Sequence, residues 1–247
     1  MTKDVHLLKN LIRLNAECMY LAFYKPYGVL SQFTQPEGSE KKTLSEFAFP
    51  PHVYPLGRLD YDSEGLLLLT DDSRLNQLLL DPVYGHARTY WVQVESLPSA
   101  QQLTLLSTGV TVQGRKTRPA CVRLLNCEPT LPSRPVPIRQ RKNIPTSWLE
   151  LVLTEGRNHQ VRRMTAAVGC PTLRLVRIAI GRLTLIGRDS LGLATSQFPA
   201  GSHAAQHACL SSQVSSVLQA ADKLVCLDLV PGAWVKLSHQ QLLTCFV

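Results

Sequence analysis

A short leucine-rich run enclosed by charged residues is the feature that most constrains the fold of this chain. Residues 65–70 read GLLLLT, with GRLDYDSE before them and Asp71-Asp72 after them. A run of this length between polar boundaries is typical of a buried strand. The chain has 247 residues and is 45% hydrophobic, which is enough apolar material for a substantial core. We therefore expect a globular protein that contains this strand in its core.

Local patterns predict further strands and helices. Aromatic and β-branched residues over 89–94 and the alternation over 148–154 predict strands. One helix is predicted over 99–107, before Gly109, and another begins after a capping Asn158. Many strands and few helices indicate a mixed α+β chain.

Changes in composition divide the chain into four segments. Residues 1–18 form a polar N-terminal extension, and residues 19–186 hold the main strand and helix patterns. Residues 187–221 are rich in Ser, Ala, Gly, Gln and His, which predicts a low-complexity insertion. Residues 222–247 return to strand-like composition and end in a tail.

The N-terminal sequence and the cysteines narrow the class of protein. Charges interrupt the apolar residues of 1–20, which leaves neither the apolar core of a signal peptide nor the length of a membrane span. The seven cysteines include no CxxC pair, so no zinc site is predicted. We expect a cytoplasmic protein with no membrane contact and no bound metal.

The charge of the chain favours a polyanionic partner. Lys and Arg number 26 against 18 Asp and Glu, which gives a net charge of +8 at pH 7. Residues 134–188 contain eleven of the basic residues and only two acidic ones. Such a concentration is typical of a phosphate-contacting surface, whereas each residue taken singly fits a solvated face equally well.

Asp60 is a candidate for chemistry because of its position directly before the leucine-rich strand. It should emerge from a loop at a sheet edge, close to Arg58. A carboxylate beside arginines is expected to be ionised and can act as nucleophile or base, and the structural alternative is a turn aspartate in an ion pair. A second chemical alternative joins Asp60 to Asp62 and Glu64, three alternate carboxylates that could hold Mg²⁺ for phosphodiester cleavage.

Tyr90 and the segment 156–163 are further candidates. The Tyr90 ring could stack on a base and its hydroxyl could transfer a proton, although a tyrosine in such a strand is ordinarily a core residue. Residues 156–163 read GRNHQVRR and place polar and basic side chains at a helix N-terminus, where backbone N–H groups favour anions. Chemistry alone gives His159 only a capping or packing role.

Four strings in a fixed order resemble the pseudouridine synthase family, in its ribosomal-RNA branch. They are YKPYGVL from Tyr24, GRLDYDSEGLLLLTDD from Gly57, RTYWVQVE from Arg88 and EGRNHQVRRM from Glu155, followed by LRLVRIAIG from Leu173.

Within the family, VLSQFT at 29–34 and IRQRKNIPTSWL at 138–149 are most similar to the large-subunit subgroup of type E. The resemblance implies the α+β pseudouridine synthase fold, a mixed and mainly antiparallel sheet with flanking helices, and no S4 RNA-binding domain. Residues 19–186 would then be the catalytic domain, and PGAWVKL at 231–237 its last strand.

The same resemblance implies roles for individual residues. Asp60 would be the catalytic aspartate, Tyr90 the base-stacking and proton-handling tyrosine, and Arg162 the basic partner of Asp60. Leu175 would pack against the target ring, and Arg58 would fill the gap left by the flipped uridine. Further RNA contacts are expected at Lys25, Arg139, Arg141, Lys142, Arg157, Asn158, His159, Gln160, Arg163 and Arg177.

The function implied by the resemblance is isomerisation of one uridine in ribosomal RNA, and the similarity to the large-subunit subgroup indicates the 23S RNA. No cofactor is implied, because the base is flipped out, its glycosidic bond breaks, and the uracil rejoins through carbon. The expected partner is ribosomal RNA and the expected state is a monomer. The alternative from another class is a non-catalytic RNA-binding or ribosome-assembly factor with the same fold.

Overall fold

The computed structural model describes residues 18–81, 83–138, 141–186 and 224–246. The strands in these ranges are β1 (Tyr20–Lys25), β2 (Tyr54–Leu56), β3 (Glu64–Thr70), β4 (Arg88–Glu95), β5 (Thr111–Val112), β6 (Arg115–Lys116), β7 (Cys121–Leu124), β8 (Thr146–Leu153), β9 (Thr172–Ile180), β10 (Leu183–Thr184), β11 (Val225–Cys226) and β12 (Trp234–Lys236). The helices are α1 (Arg74–Leu80), α2 (Ala100–Thr108), α3 (Gln160–Ala167) and α4 (His239–Leu243), and 3-10 turns lie at Leu44–Glu46 and Thr244–Phe246.

One mixed sheet organises the molecule. Its strands follow the order β12-β1-β3-β9-β4-β8-β7, and every neighbouring pair on this path is antiparallel except β3–β9. The strands β5 and β6 form a separate hairpin. The predicted α+β class with a mainly antiparallel sheet is therefore confirmed.

The leucine-rich run lies in the interior, as its composition predicts. All seven residues of β3 are buried. Because neighbouring side chains on a strand point to opposite faces, Leu66 and Leu68 pack into one apolar cluster, whereas Leu67 and Leu69 pack into another on the opposite face. Burial on both faces explains why the run is continuously apolar rather than alternating.

Parallel pairing between β3 and β9 brings two parts of the chain together that are far apart in sequence. Glu64 is opposite Val176 and Gly65 is opposite Arg177. Gly65 has φ +110, and a Cβ there would lie 2.2 Å from the carbonyl oxygen of Arg177. Glycine is required because both its backbone conformation and this close approach exclude a side chain. This pairing brings the loop that precedes β3 next to the middle of β9.

The helix that follows the basic loop starts differently from the prediction. The N-cap of α3 is His159, in the left-handed conformation with φ 49, and not Asn158. The side chain of Asn158 instead accepts a hydrogen bond from Arg163 Nη2 at 2.8 Å. The predicted helix over 99–107 is confirmed as α2, with a capping box between Ser99 and Gln102.

Two predicted segments fall wholly or almost wholly outside the described residues. These are the N-terminal extension, of which only Cys18 is described, and the insertion over 187–221. After the insertion, the strand β12 pairs with β1 at the end of the sheet. In the described part of the chain, no helix has the length and apolarity needed to cross a membrane.

Candidate active site

A cleft of about 840 Å³ opens where the loop before β3, the start of β4, the loop before α3 and the strand β9 meet. The predicted site residues that line this cleft are Arg58, Asp60, Tyr90, Arg157, Asn158, His159, Gln160, Leu175 and Arg177. They come from four separate parts of the sequence, and the fold brings them to one place.

Asp60 lies on a loop whose backbone is held by two hydrogen bonds between the preceding residue, Leu59, and the side chain of Ser31. The hydroxyl of Ser31 donates to the Leu59 carbonyl at 2.8 Å and accepts from the Leu59 N–H at 3.0 Å. The Asp60 side chain is 29% exposed, and its Oδ2 lies 3.4 Å from Nδ1 of His159. A carboxylate on a rigid loop, open to the cleft, can meet a substrate without rearrangement of the backbone.

The structure pairs Arg162 with a different aspartate from the one predicted. Arg162 Nη2 lies 2.9 Å from the carbonyl oxygen of Asp62 and 3.1 Å from its Oδ2. The expected pairing of Arg162 with Asp60 is therefore wrong, because Asp62 offers two acceptors to the guanidinium. Arg162 thus connects α3 to the loop of Asp60, at a position two residues after Asp60. The Arg162 side chain does not line the cleft.

The other carboxylates near Asp60 are neutralised by arginines. Glu64 is buried and makes a bidentate ion pair with Arg174, with Nε–Oε1 at 2.9 Å and Nη2–Oε2 at 2.8 Å. Asp62 is held by Arg162, as described above. Within the described ranges, no group of three or more His, Cys, Asp or Glu side chains has a metal-binding arrangement. The three carboxylates of the nuclease alternative therefore do not form a ligand set.

Tyr90 and Leu175 form an apolar wall of the cleft. Tyr90 is 9% exposed on β4, and Leu175 is buried on the neighbouring strand β9. Both side chains pack in the same apolar cluster and both line the cleft. An aromatic ring beside an aliphatic side chain is suited to holding a planar base.

Two buried arginines line the cleft beside this wall. Arg177 Nε donates to the Leu66 carbonyl at 2.7 Å, and Arg88 Nη2 donates to the Leu79 carbonyl at 2.8 Å. Burial lowers the pKa of Arg88. Arg177 was predicted, whereas Arg88 was missed, although its position two residues before Tyr90 on one strand was a signal. Lys41 and Tyr61 also line the cleft and were missed.

The loop before α3 is organised by a buried carboxylate. Glu155 accepts hydrogen bonds from Gln160 Nε2 at 2.6 Å and from Arg157 Nη2 at 3.1 Å. Gln160 Oε1 also accepts from the Arg157 N–H at 2.9 Å. Gln160 is buried and thus supports the loop, whereas Arg157, Asn158 and His159 are exposed at the cleft.

A model of the family described as RNA pseudouridylate synthase matches residues 19–167. The chain belongs to the RNA pseudouridylate synthase family. The predicted family is thereby confirmed, and the cleft described above lies in a synthase.

Curated relatives of this synthase carry related names. The chain is 58% identical over 167 residues to ribosomal large subunit pseudouridine synthase E of Xanthomonas campestris, which covers 68% of this chain and 89% of that protein. It is 49% identical over 170 residues to the protein of the same name from Vibrio vulnificus, covering 69% and 71%. A crystal structure of a pseudouridylate synthase matches with TM-score 0.61 at 22% identity, covering 94% of this chain and 75% of that one, which supports the fold.

Three further basic residues predicted to contact RNA, Arg141, Lys142 and Arg163, do not line the synthase cleft. Arg163 contacts Gln113 and Asn158. Arg141 is exposed and pairs with Glu95 at 3.4 Å, and Lys142 is exposed beside it. Arg139 lies outside the described residues.

Lys25 is not available to RNA in the structure. Its side chain is fully buried, at 0% exposure, and its Nζ donates to the Val29 carbonyl at 2.6 Å and the Pro26 carbonyl at 3.0 Å. Burial lowers the pKa of Lys25 to about 7, against the opposing effect of the nearby carboxylates, of which Glu64 contributes most. The prediction that Lys25 contacts RNA is therefore wrong, because its amine closes the loop at the end of β1.

Replacing Lys25 with Met will flatten the pH dependence of stability above neutral pH. The folded pKa of about 7 lies below the ordinary value of 10.5, so between these values the unfolded chain binds the extra proton. The contribution of Lys25 to the free energy of unfolding therefore rises as the pH rises from about 7 towards 10.5, and it does not change with pH below about 7. Urea denaturation should show wild type gaining roughly 2 kcal/mol relative to Lys25→Met between about pH 7 and 9.

The control for this experiment is Lys236→Met, at an exposed lysine on β12. It should follow wild type at every pH. A constant difference between wild type and Lys25→Met across the window would show that Lys25 titrates as an ordinary lysine.

Proposed function

We propose that this synthase converts one uridine of large-subunit ribosomal RNA, the 23S RNA, into pseudouridine, with Asp60 as the catalytic carboxylate. The observation that carries the proposal is the position of Asp60, in a cleft beside Tyr90 and Leu175. The choice of RNA is supported by the names of the relatives, which match most of their own length to this chain. The isomerisation involves no net oxidation or reduction, so the proposal includes no cofactor.

The chemistry requires the uridine to leave its stack and enter the cleft. The bond from C1′ to N1 breaks, a bond from C1′ to C5 forms, C5 loses its proton, and N1 gains one. In the proposal the uracil ring packs on Tyr90 and Leu175 while the Asp60 carboxylate faces the sugar. Attack on the sugar, attack on the base and removal of a sugar proton are all routes that a carboxylate there can take.

The charged residues around the cleft fit supporting roles in this reaction. Arg58 is exposed at the rim, where it can enter the gap left by the flipped base. Arg157 is exposed, also lines the cleft and can bind a phosphate. His159 has a strained left-handed backbone and contacts Asp60, so it can orient the carboxylate. Arg162 acts as a positioning residue, through Asp62.

The proposal is tested by mapping pseudouridines in large-subunit ribosomal RNA with carbodiimide-blocked primer extension. Cells with the wild-type protein, with none, and with Asp60→Ala are compared. One uridine whose signal disappears in both defective strains supports the proposal. An unchanged map in large-subunit, small-subunit and transfer RNA would favour the non-catalytic assembly factor.

RNA binding by the synthase should weaken as salt rises, because exposed cations at the cleft displace counterions from phosphates. Three such contacts, from Lys41, Arg58 and Arg157, predict a loss of roughly 20-fold in affinity between about 50 and 200 mM salt for a single strand. Fluorescence anisotropy with labelled RNA measures it. Arg58→Ala should reduce the slope of log K against log salt by about 0.7, whereas Lys236→Ala should not.

The cytoplasm as location belongs to this proposal, since ribosomal RNA is its substrate. The monomeric state stays a prediction from the sequence.

A further inference from the structure

Tyr27, Tyr61, Lys41 and Arg134 form a cluster, here named the tyrosine platform, of which Tyr61 and Lys41 line the cleft. The rings of Tyr27 and Tyr61 lie 6.5 Å apart and are tilted by 47°. Lys41 Nζ lies 4.8 Å from the centre of the Tyr61 ring, and Arg134 Cζ lies 4.2 Å from the centre of the Tyr27 ring. The platform therefore joins three loops. The first contains both Tyr27 and Lys41, the second contains Tyr61, and the third contains Arg134.

The platform is attached directly to the loop of Asp60. Tyr61 follows Asp60 in the chain, and both line the cleft together with Lys41. The Tyr61 carbonyl accepts a hydrogen bond from the Gly28 N–H at 2.9 Å, which fixes Tyr61 to the residue after Tyr27. Both rings are half-buried. Tyr61 is thus presented beside Asp60, with Tyr27 supporting it from the side.

The two cations of the platform have charge to offer a ligand. Among the described residues, neither Lys41 nor Arg134 has a carboxylate within ion-pair distance. Each lies over a tyrosine ring instead, which is a favourable but weak contact. Aromatic rings interleaved with unpaired cations are the usual composition of a surface that binds single-stranded nucleic acid.

Base flipping creates a need that this platform fits. When a uridine leaves the stack, the neighbouring base loses a stacking partner, at a cost of a few kcal/mol. An aromatic ring can replace that partner, and any base can use it because every base has a π face. Asp60 and Tyr61 line the same cleft, so the nucleotide next to one held at Asp60 comes within reach of Tyr61.

We propose that the tyrosine platform binds the unpaired base next to the target uridine by stacking on Tyr61, with Lys41 and Arg134 bound to the adjoining phosphates. This inference rests on the proposed function, because it assigns a second subsite to the same cleft. It makes the substrate a strand that is unpaired at the uridine and at one neighbour.

The first test uses a nine-nucleotide oligouridine RNA with a single central 2-aminopurine, whose fluorescence is quenched when the base stacks. The protein is used in the Asp60→Ala form, so that no turnover interferes. Addition of this protein should quench the fluorescence, and a further Tyr61→Ala change should remove the quenching and weaken binding by about 5- to 150-fold. Tyr61→Phe should retain both, since the ring remains.

A matched control is Tyr54→Ala, which removes a tyrosine that is 63% exposed and does not line the cleft. It should quench and bind like its parent. Thermal unfolding of each variant separates a loss of fold from a loss of stacking. Equal quenching by the parent and by a folded Tyr61→Ala variant would overturn the stacking proposal.

The second test locates the base, with RNA fragments around the mapped uridine that are abasic on its 5′ or its 3′ side. Tyr61→Ala should slow modification of the intact fragment and have no further effect on one of the two abasic fragments. An equal effect on all three fragments would contradict the subsite. If wild-type protein modifies no fragment while the quenching persists, the proposed function fails and the stacking surface stands.

Discussion

Replacing Asp60 with Asn will reduce pseudouridine formation by at least about 10³-fold while leaving the fold and the RNA affinity close to those of wild type. The size of the loss follows from removing a group that contacts the reacting atoms. The fold is spared because the Asp60 side chain is partly exposed and its contact is with the exposed His159. Release of tritium from RNA labelled at C5 of uridine measures the reaction, because that hydrogen leaves during isomerisation.

The matched control is Asp62→Asn, two residues further along the same loop. It keeps the carbonyl that accepts from Arg162 and weakens only the ion pair at 3.1 Å. It should retain most of the activity. If Asp62→Asn removes activity and Asp60→Asn does not, the two aspartates have been assigned the wrong way round.

Replacing Arg174 with Ala will destabilise the protein by about 3–5 kcal/mol, which is the usual cost of leaving one member of a buried ion pair uncompensated. The Arg174 and Glu64 side chains are only 9% and 3% exposed. The same guanidinium also donates to the Pro132 carbonyl at 2.8 Å, so that acceptor loses its donor too. Urea denaturation monitored by tryptophan fluorescence measures the change in the free energy of unfolding.

Two comparisons show whether the buried charge is the cause. The double variant Glu64→Gln with Arg174→Met should be more stable than Arg174→Ala alone, because it leaves no uncompensated charge. Lys42→Ala breaks an exposed pair with Glu46 and should cost no more than about 1 kcal/mol. Equal losses for Lys42→Ala and Arg174→Ala would show that the buried pair contributes no more than a surface one.

Nine of the residues predicted from the sequence line the candidate cleft. The segment before the leucine-rich strand contains Arg58 and Asp60, and the strand after it contains Tyr90. All three were expected at the site, and the structure places them in one cleft with Leu175. The position of Asp60 could be predicted because a loop that precedes a buried strand opens at a sheet edge, whereas Tyr90 and Leu175 were expected there only from the family resemblance.

The ion-pair partner of Arg162 and the burial of Lys25 were predicted wrongly. Arg162 was expected to pair with Asp60 and pairs with Asp62, and Lys25 was expected at the RNA surface and is fully buried. The partner of Arg162 depends on how α3 packs against a loop 100 residues earlier in the chain. The burial of Lys25 depends on the local loop after β1, where its amine donates to carbonyls one and four residues away.

The sequence by itself determined that residues 65–70 form a buried strand, that 89–94 and 148–154 form strands, and that a basic loop leads into α3. Those properties depend on side-chain periodicity and on turn residues within a few positions of each other. Only the tertiary structure decided that Glu64 meets Arg174 and that β3 runs parallel to β9, although 110 residues separate the two side chains. Pairing across such a distance is set by the packing of the whole sheet, for which the local sequence contains no signal.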